Sequence, residues 1–100
     1  MSDLCMTLIC PAAVEEKLLD LLLLSPGAKA FTSTRAAVHG LPASSLNGTE
    51  QVMGRALAAE MRVIFDASEK TAFLDQIRRQ FAGAGLRYWM TAVLEAGEIV

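Results

Sequence analysis

Leu4-Cys5-Met6-Thr7-Leu8-Ile9-Cys10-Pro11 runs for eight residues without a charge. As a strand it points Leu4, Met6 and Leu8 to one side and Cys5, Thr7 and Ile9 to the other. A strand with one wet face alternates apolar with polar residues, so this pattern calls for cover on both faces. Helices of the same chain can cover one. What covers the other bears on function, because no catalytic motif stands elsewhere in the chain.

Pro11 ends the strand and suits the first turn of a helix, which the spacing predicts over about Ala12 to Leu24. Val14, Leu18, Leu21 and Leu22 form its core stripe, and Glu16, Lys17 and Asp20 its wet side. Leu19 and Leu23 widen the apolar face beyond what one sheet needs. Ser25-Pro26-Gly27 stops the helix. Ala28 to Val38 reads as a second strand, with Phe31, Thr32, Thr34 and Val38 supplying β-propensity. From His39 the composition turns to Gly, Pro, Ser and Asn. The loop this predicts, about 39–56, exceeds the usual connection of about 4–6 residues, and such loops are mobile or functional.

Ala58 to Phe65 forms a third strand, with Met61, Val63 and Phe65 on one face and Arg62 and Ile64 on the other. Asp66 and Glu69 make a capping-box pattern for a second helix over about Ser68 to Ala82. Its stripe is Phe73, Leu74, Ile77 and Phe81. Gly83-Ala84-Gly85 predicts a Schellman-type stop, and Arg87 to Leu94 a last strand. The order strand, helix, strand, strand, helix, strand is the ferredoxin-like βαββαβ plan. It is an α+β fold with a four-stranded antiparallel sheet and two helices on one face, here one domain over 1–100. The face left bare is expected to pack against other copies in a closed oligomer.

The totals agree. The 100 residues are 53% apolar and 20% charged, with a mean hydropathy of +0.38, a surplus that points to an apolar surface covered by a partner. A net charge of -2 with scattered Lys and Arg excludes the clustered basic patch of a nucleic-acid binder. The longest leucine run, Leu21 to Leu24, is too short to span a bilayer, and Met-Ser-Asp-Leu lacks a basic signal region. The expectation is a cytoplasmic protein without direct membrane insertion. Cys5 and Cys10 lie roughly 16 Å apart on an extended segment, beyond disulfide reach, and read as reduced thiols.

Chemistry is sparse. His39, the one histidine, could join Cys10, Cys5 or Met53 around a soft metal such as copper or zinc. Against this, the chain has no C-x-x-C or H-x-x-x-H spacing, and cysteine also serves as a small apolar residue. Cys10, at the strand exit, is the better placed thiol. Gly83-Ala84-Gly85 leaves a helix C-terminus, whereas phosphate cradles enter a helix N-terminus. Arg87 either binds an anion or pairs with a carboxylate across the sheet. Tyr88 and Trp89 face opposite ways, one for the core and one for a subunit contact. The lone His has no matched Ser or Cys partner and no carboxylate pair is set apart, so the chain does not read as an enzyme.

Cys-Met-Thr-Leu-Ile-Cys-Pro leading into Glu-Glu-Lys-Leu-Leu-Asp-Leu-Leu-Leu-Leu-Ser-Pro, Phe-Thr-Ser-Thr with His39-Gly40, and Phe-Ala-Gly-Ala-Gly-Leu-Arg-Tyr-Trp carry a resemblance. The chain resembles the PII-like (GlnB/CutA-type) superfamily of small trimeric signalling proteins, and within it the branch encoded beside heavy-metal efflux transporters. The resemblance implies a homotrimer whose sheets enclose a central barrel, with the long loop gripping a target such as an inner-membrane metal-efflux transporter. It also implies an anion or nucleotide cleft between subunits, with Gly83, Gly85 and Arg87 at the matching turn. The chain departs from the PII pattern after Val93, where Leu-Glu-Ala-Gly-Glu-Ile-Val holds no Arg or Lys. That argues against ATP or ADP, which need several cationic partners. The alternative within the superfamily is a CutA-like module that buffers copper or zinc without a protein target.

Overall fold

In the computed structural model the described residues are 2–40 and 55–100, with backbone alone at 55 and 56. The uncharged stretch becomes β1 (Asp3–Pro11), an inner strand of a four-stranded antiparallel sheet. Around it stand α1 (Glu15–Leu24), β2 (Ala28–His39), β3 (Arg55–Asp66), α2 (Lys70–Phe81) and β4 (Arg87–Val93), in the sheet order β2-β3-β1-β4. One-turn 3-10 segments, Ala12–Val14 and Ala67–Glu69, lead into α1 and α2. This is the ferredoxin-like α+β plan.

Period-2 alternation sorts each strand. Met6, Leu8 and Cys10 of β1 meet Ala59, Met61, Val63 and Phe65 of β3 in a fully buried layer under the helices. Leu18, Leu21 and Leu22 of α1 and Phe73, Leu74, Ile77 and Phe81 of α2 close that layer from above. Phe65 and Phe73 stack edge to face, 5.2 Å between centroids at 68°. Lys17 ties the helices together. Its Nζ donates to the Gln80 carbonyl at 3.2 Å and lies 5.2 Å from the centre of the Phe81 ring, a cation at the negative end of α2. Leu23 instead points to solvent at 70% exposure, so α1 presents an apolar residue that its own sheet does not use.

Local details depart from the expected forms. α2 does not end in a Schellman motif. Ala82 is extended (φ -56, ψ 129), Gly83 takes φ 76, and the Ala84 amide donates to the Phe81 carbonyl at 3.0 Å. That is a type II turn, whose third residue requires positive φ, and glycine adopts it without strain. The capping box is only half made. The Asp66 carboxylate accepts from the Ser68 amide at 2.9 Å and the Ser68 hydroxyl at 2.7 Å, because the tight first turn brings the second residue, not the third, into reach. β2 and β3 also pair further than expected, through Ala37↔Leu57, Val38↔Ala56 and His39↔Arg55. β1 stops opposite Ala58, so these last pairs form a two-stranded arm.

Asp3 stands opposite Asp66 in the β1–β3 register, a like-charge pair that would repel. Lys29, at the irregularity between Ala28 and Ala30, donates to Asp3 at 2.8 Å. That hydrogen bond holds the Lys29 ammonium above its ordinary pKa. The bonds from Ser68, with a smaller contribution from Lys29, hold Asp66 below the usual carboxylate range. A lowered folded-state value means the contribution is whole above an unfolded value of about 3.9 and is lost as pH falls through the folded one. Asp66→Ala is therefore expected to lower the melting midpoint at pH 7, and the gap from the parent should shrink at a pH below the unfolded value of about 3.9. Thermal melts at both pH values check this; an equal gap at each would show that the charge plays no part.

Candidate functional site

The face of the sheet turned away from the helices is laid out in cross-strand rows. Thr34, Glu60, Ile9 and Arg87 form one row, and Thr32, Arg62, Thr7 and Trp89 the next. A third row holds Ala30, Ile64, Cys5 and Thr91. No helix among the described residues covers this face, yet it carries Trp89 at 51% exposure together with Ile9, Ile64 and Cys5. Thr7 in its middle is only 6% exposed, with Arg62 and Trp89 opposite it on the flanking strands. The Arg62 guanidinium pairs with Glu60 Oε2 at 3.3 Å.

A cleft of about 380 Å³ opens on this face. Ile9 lies between Glu60 and Arg87 in the first row, Trp89 stands beside them, and Ala36 to Gly40 of β2 and its exit form the opposite wall. The strand pleat explains the convergence. Glu60, Ile9 and Arg87 are register partners on adjacent strands, and Trp89 follows Arg87 by two residues on the same face.

Arg87 lines this cleft. Gly83 and Gly85 do not line it; they shape the turn between α2 and β4, each with positive φ. His39 sits at the rim, exposed. Cys10 and Cys5, five residues apart, point to opposite faces of β1. Cys10 is fully buried under the helices, and burial, followed by the Glu15 carboxylate, pushes its thiol up. Cys5 is half-buried on the open face, and Met53 lies outside the described residues. Among the described residues no three His, Cys, Asp or Glu side chains come close enough to hold a metal. Tyr88 and Trp89 face opposite ways as alternation requires, but neither enters the core. Tyr88 stays 45% exposed on the edge strand β4, its hydroxyl accepting from Arg78 Nη2 at 3.3 Å. Sequence reasoning missed Glu60 and Ile9, whose place beside Arg87 depends on strand register.

The helices on one face of a four-stranded antiparallel sheet, in this strand order, give the chain a PII-like, ferredoxin-like fold. The chain belongs to the DUF3240 family, described as a protein of unknown function, which it matches over residues 1–100. A DUF3240 family protein from Shewanella baltica superposes with a TM-score of 0.83 at 13% identity, over 100% of this chain and 99% of that one. CPII from Thiomonas intermedia, a nitrogen regulatory PII-like protein bound to ADP, AMP and bicarbonate, gives 0.71 at 14% identity, covering 99% and 98%. Bacillus subtilis GlnK in complex with ATP gives 0.55 at 13% identity, covering 93% and 85%. At these identities the likeness is one of fold. No curated protein matches the chain by sequence. No helix among the described residues is long and apolar enough to cross a membrane.

Proposed function

We propose that this chain is a PII-like regulatory protein, a cytoplasmic homotrimer that senses a small ligand at the open-face cleft. Its output acts through the segment 41–54 on a transporter or regulator of heavy-metal efflux. The observation that carries this reading is the open face: Trp89, Ile9, Ile64 and Cys5 stand on a sheet surface that no helix among the described residues covers, opposite the helix-covered core. Cover by further copies around Ile64 and Cys5 buries part of that area and leaves the cleft at Ile9 and Trp89 open to a ligand. Among the described residues β2 and β4 are the sheet edges at which a ring of copies can close.

The cleft wall ends at His39 and Gly40, immediately before the segment 41–54. A ligand seated there acts on the root of that segment and shifts its population of states by differential affinity. The heavy-metal setting rests on the sequence resemblance alone. The copper or zinc buffer reading draws less support, because Cys10 is shut in the core and its thiolate disfavoured, whereas metals take the thiolate.

Light scattering of the full chain tests the assembly, with a mass of three 10.7 kDa chains expected. A single-chain mass in dilute buffer would overturn the trimer. Hydrogen exchange with and without ADP, Zn(II) and Cu(I) tests the output, with altered protection at the β2 exit expected; identical protection with every ligand would count against sensing. Pull-down with the efflux transporter separates a regulator from a buffer, which needs no complex.

A further inference from the structure

We propose that the cleft takes a small zwitterion, an α-amino acid with an apolar side chain. Its carboxylate sits on Arg87, its ammonium group on Glu60, and its side chain against Trp89 and Ile9. This deepens the reading of the cleft as a sensing site and rests on it.

Charge placement is the first support. Glu60 and Arg87 stand in one cross-strand row on either side of Ile9. With strands about 4.8 Å apart their backbones are about 9.6 Å apart, a gap two long side chains can span around a compact ligand. The Arg87 side chain forms no salt bridge or hydrogen bond with other described residues. Its planar donor fork is therefore available for a carboxylate in two-point contact. Glu60 meets Arg62 at Oε2, 3.3 Å away, and a carboxylate has a second oxygen, Oε1, to offer an ammonium group.

The rest of the cleft decides the ligand's body. Ile9, Ala36, Val38 and the exposed indole of Trp89 give it an apolar floor and wall. Its volume of about 380 Å³ falls at the small end of the roughly 300–1,000 Å³ common for small-molecule sites. A di- or triphosphate would set several negative charges against one guanidinium and beside the Glu60 carboxylate. A simple amine would leave Arg87 without a partner, and a simple acid would leave Glu60 with Arg62 alone. A zwitterion answers both.

The chain has one tryptophan, so its fluorescence reports on this cleft. The full chain is titrated with L-leucine, 4-methylpentanoate, isopentylamine, ADP and inorganic phosphate. A saturable change with L-leucine is expected, at least tenfold tighter than with the acid or the amine. Arg87→Ala and Glu60→Gln should each weaken L-leucine at least tenfold while the scattering mass and melting midpoint stay near those of the parent. An unaltered response in Arg87→Ala, or equal affinity for all three leucine-like probes, overturns the proposal. Saturation by ADP without any by L-leucine overturns it too, but leaves the sensing-site reading in place. Silence toward all five probes counts against both.

Discussion

Phe65→Ala is expected to destabilise the protein by about 3–5 kcal/mol, the range for aromatic-to-alanine cuts in packed cores. Phe65 has no exposed surface, sits in the inner strand β3 and meets Phe73 edge to face. Its loss removes transfer free energy, leaves a cavity between sheet and α2, and breaks an aromatic pair. At about 4–8 °C per kcal/mol for a chain of this size, the midpoint should fall by roughly 12–40 °C. Urea and thermal unfolding at one fixed protein concentration measure it, since assembly makes stability concentration-dependent. Leu24→Ala serves as the contrast. Leu24 is 83% exposed, so its truncation should stay within about 0.5 kcal/mol. Similar losses at both positions would mean that burial under the helices is not what holds this fold.

Ile64→Glu addresses the other side of the sheet. Ile64 lies between Ala30 and Cys5 on the open face, away from the helix-covered core. If that face is the contact between copies, the change buries a carboxylate with no partner, which costs several kcal/mol per interface. The expected outcome is a folded single chain of 10.7 kDa by light scattering, with a helical circular-dichroism signal close to that of the parent. Ile64→Ala, which only trims the contact, should weaken the assembly without abolishing it. An unchanged mass for Ile64→Glu would show that this face lies outside the contact.

These two residues sit on neighbouring positions of one strand, and they differ in how far the sequence alone could place them. Phe65 belongs to a period-2 set with Met61 and Val63 that matches helical stripes elsewhere, and all of it is buried where the pattern puts it. The stripes Leu18, Leu21, Leu22 and Phe73, Leu74, Ile77, Phe81 are buried likewise, because a helix repeats its geometry every few residues regardless of its neighbours. Strand ends were less legible. β2 and β3 run on to His39 and Arg55 by pairing with each other, and that partner lies outside any local window. The exit of α2 shows the same limit. Gly83 announced a turn, but whether Ala82 would be helical or extended depended on how β4 is approached.

The candidate site was legible only in part. Arg87 stood out as a lone cation after a glycine turn, whereas Glu60 looked like an ordinary solvated carboxylate and Ile9 like one more apolar residue of a strand. They become a set only because β1 sits between β3 and β4 in a fixed register. The metal candidates show the reverse. Cys5 and Cys10 look close in the chain, but odd spacing sends them to opposite faces of the sheet.

What the amino-acid order determined by itself was the element plan, the buried stripes and an uncharged first strand whose pattern calls for cover on both faces, because periodicity is a local property of backbone geometry. Only tertiary structure decided which charges share the cleft, since antiparallel register brings together residues far apart in the chain.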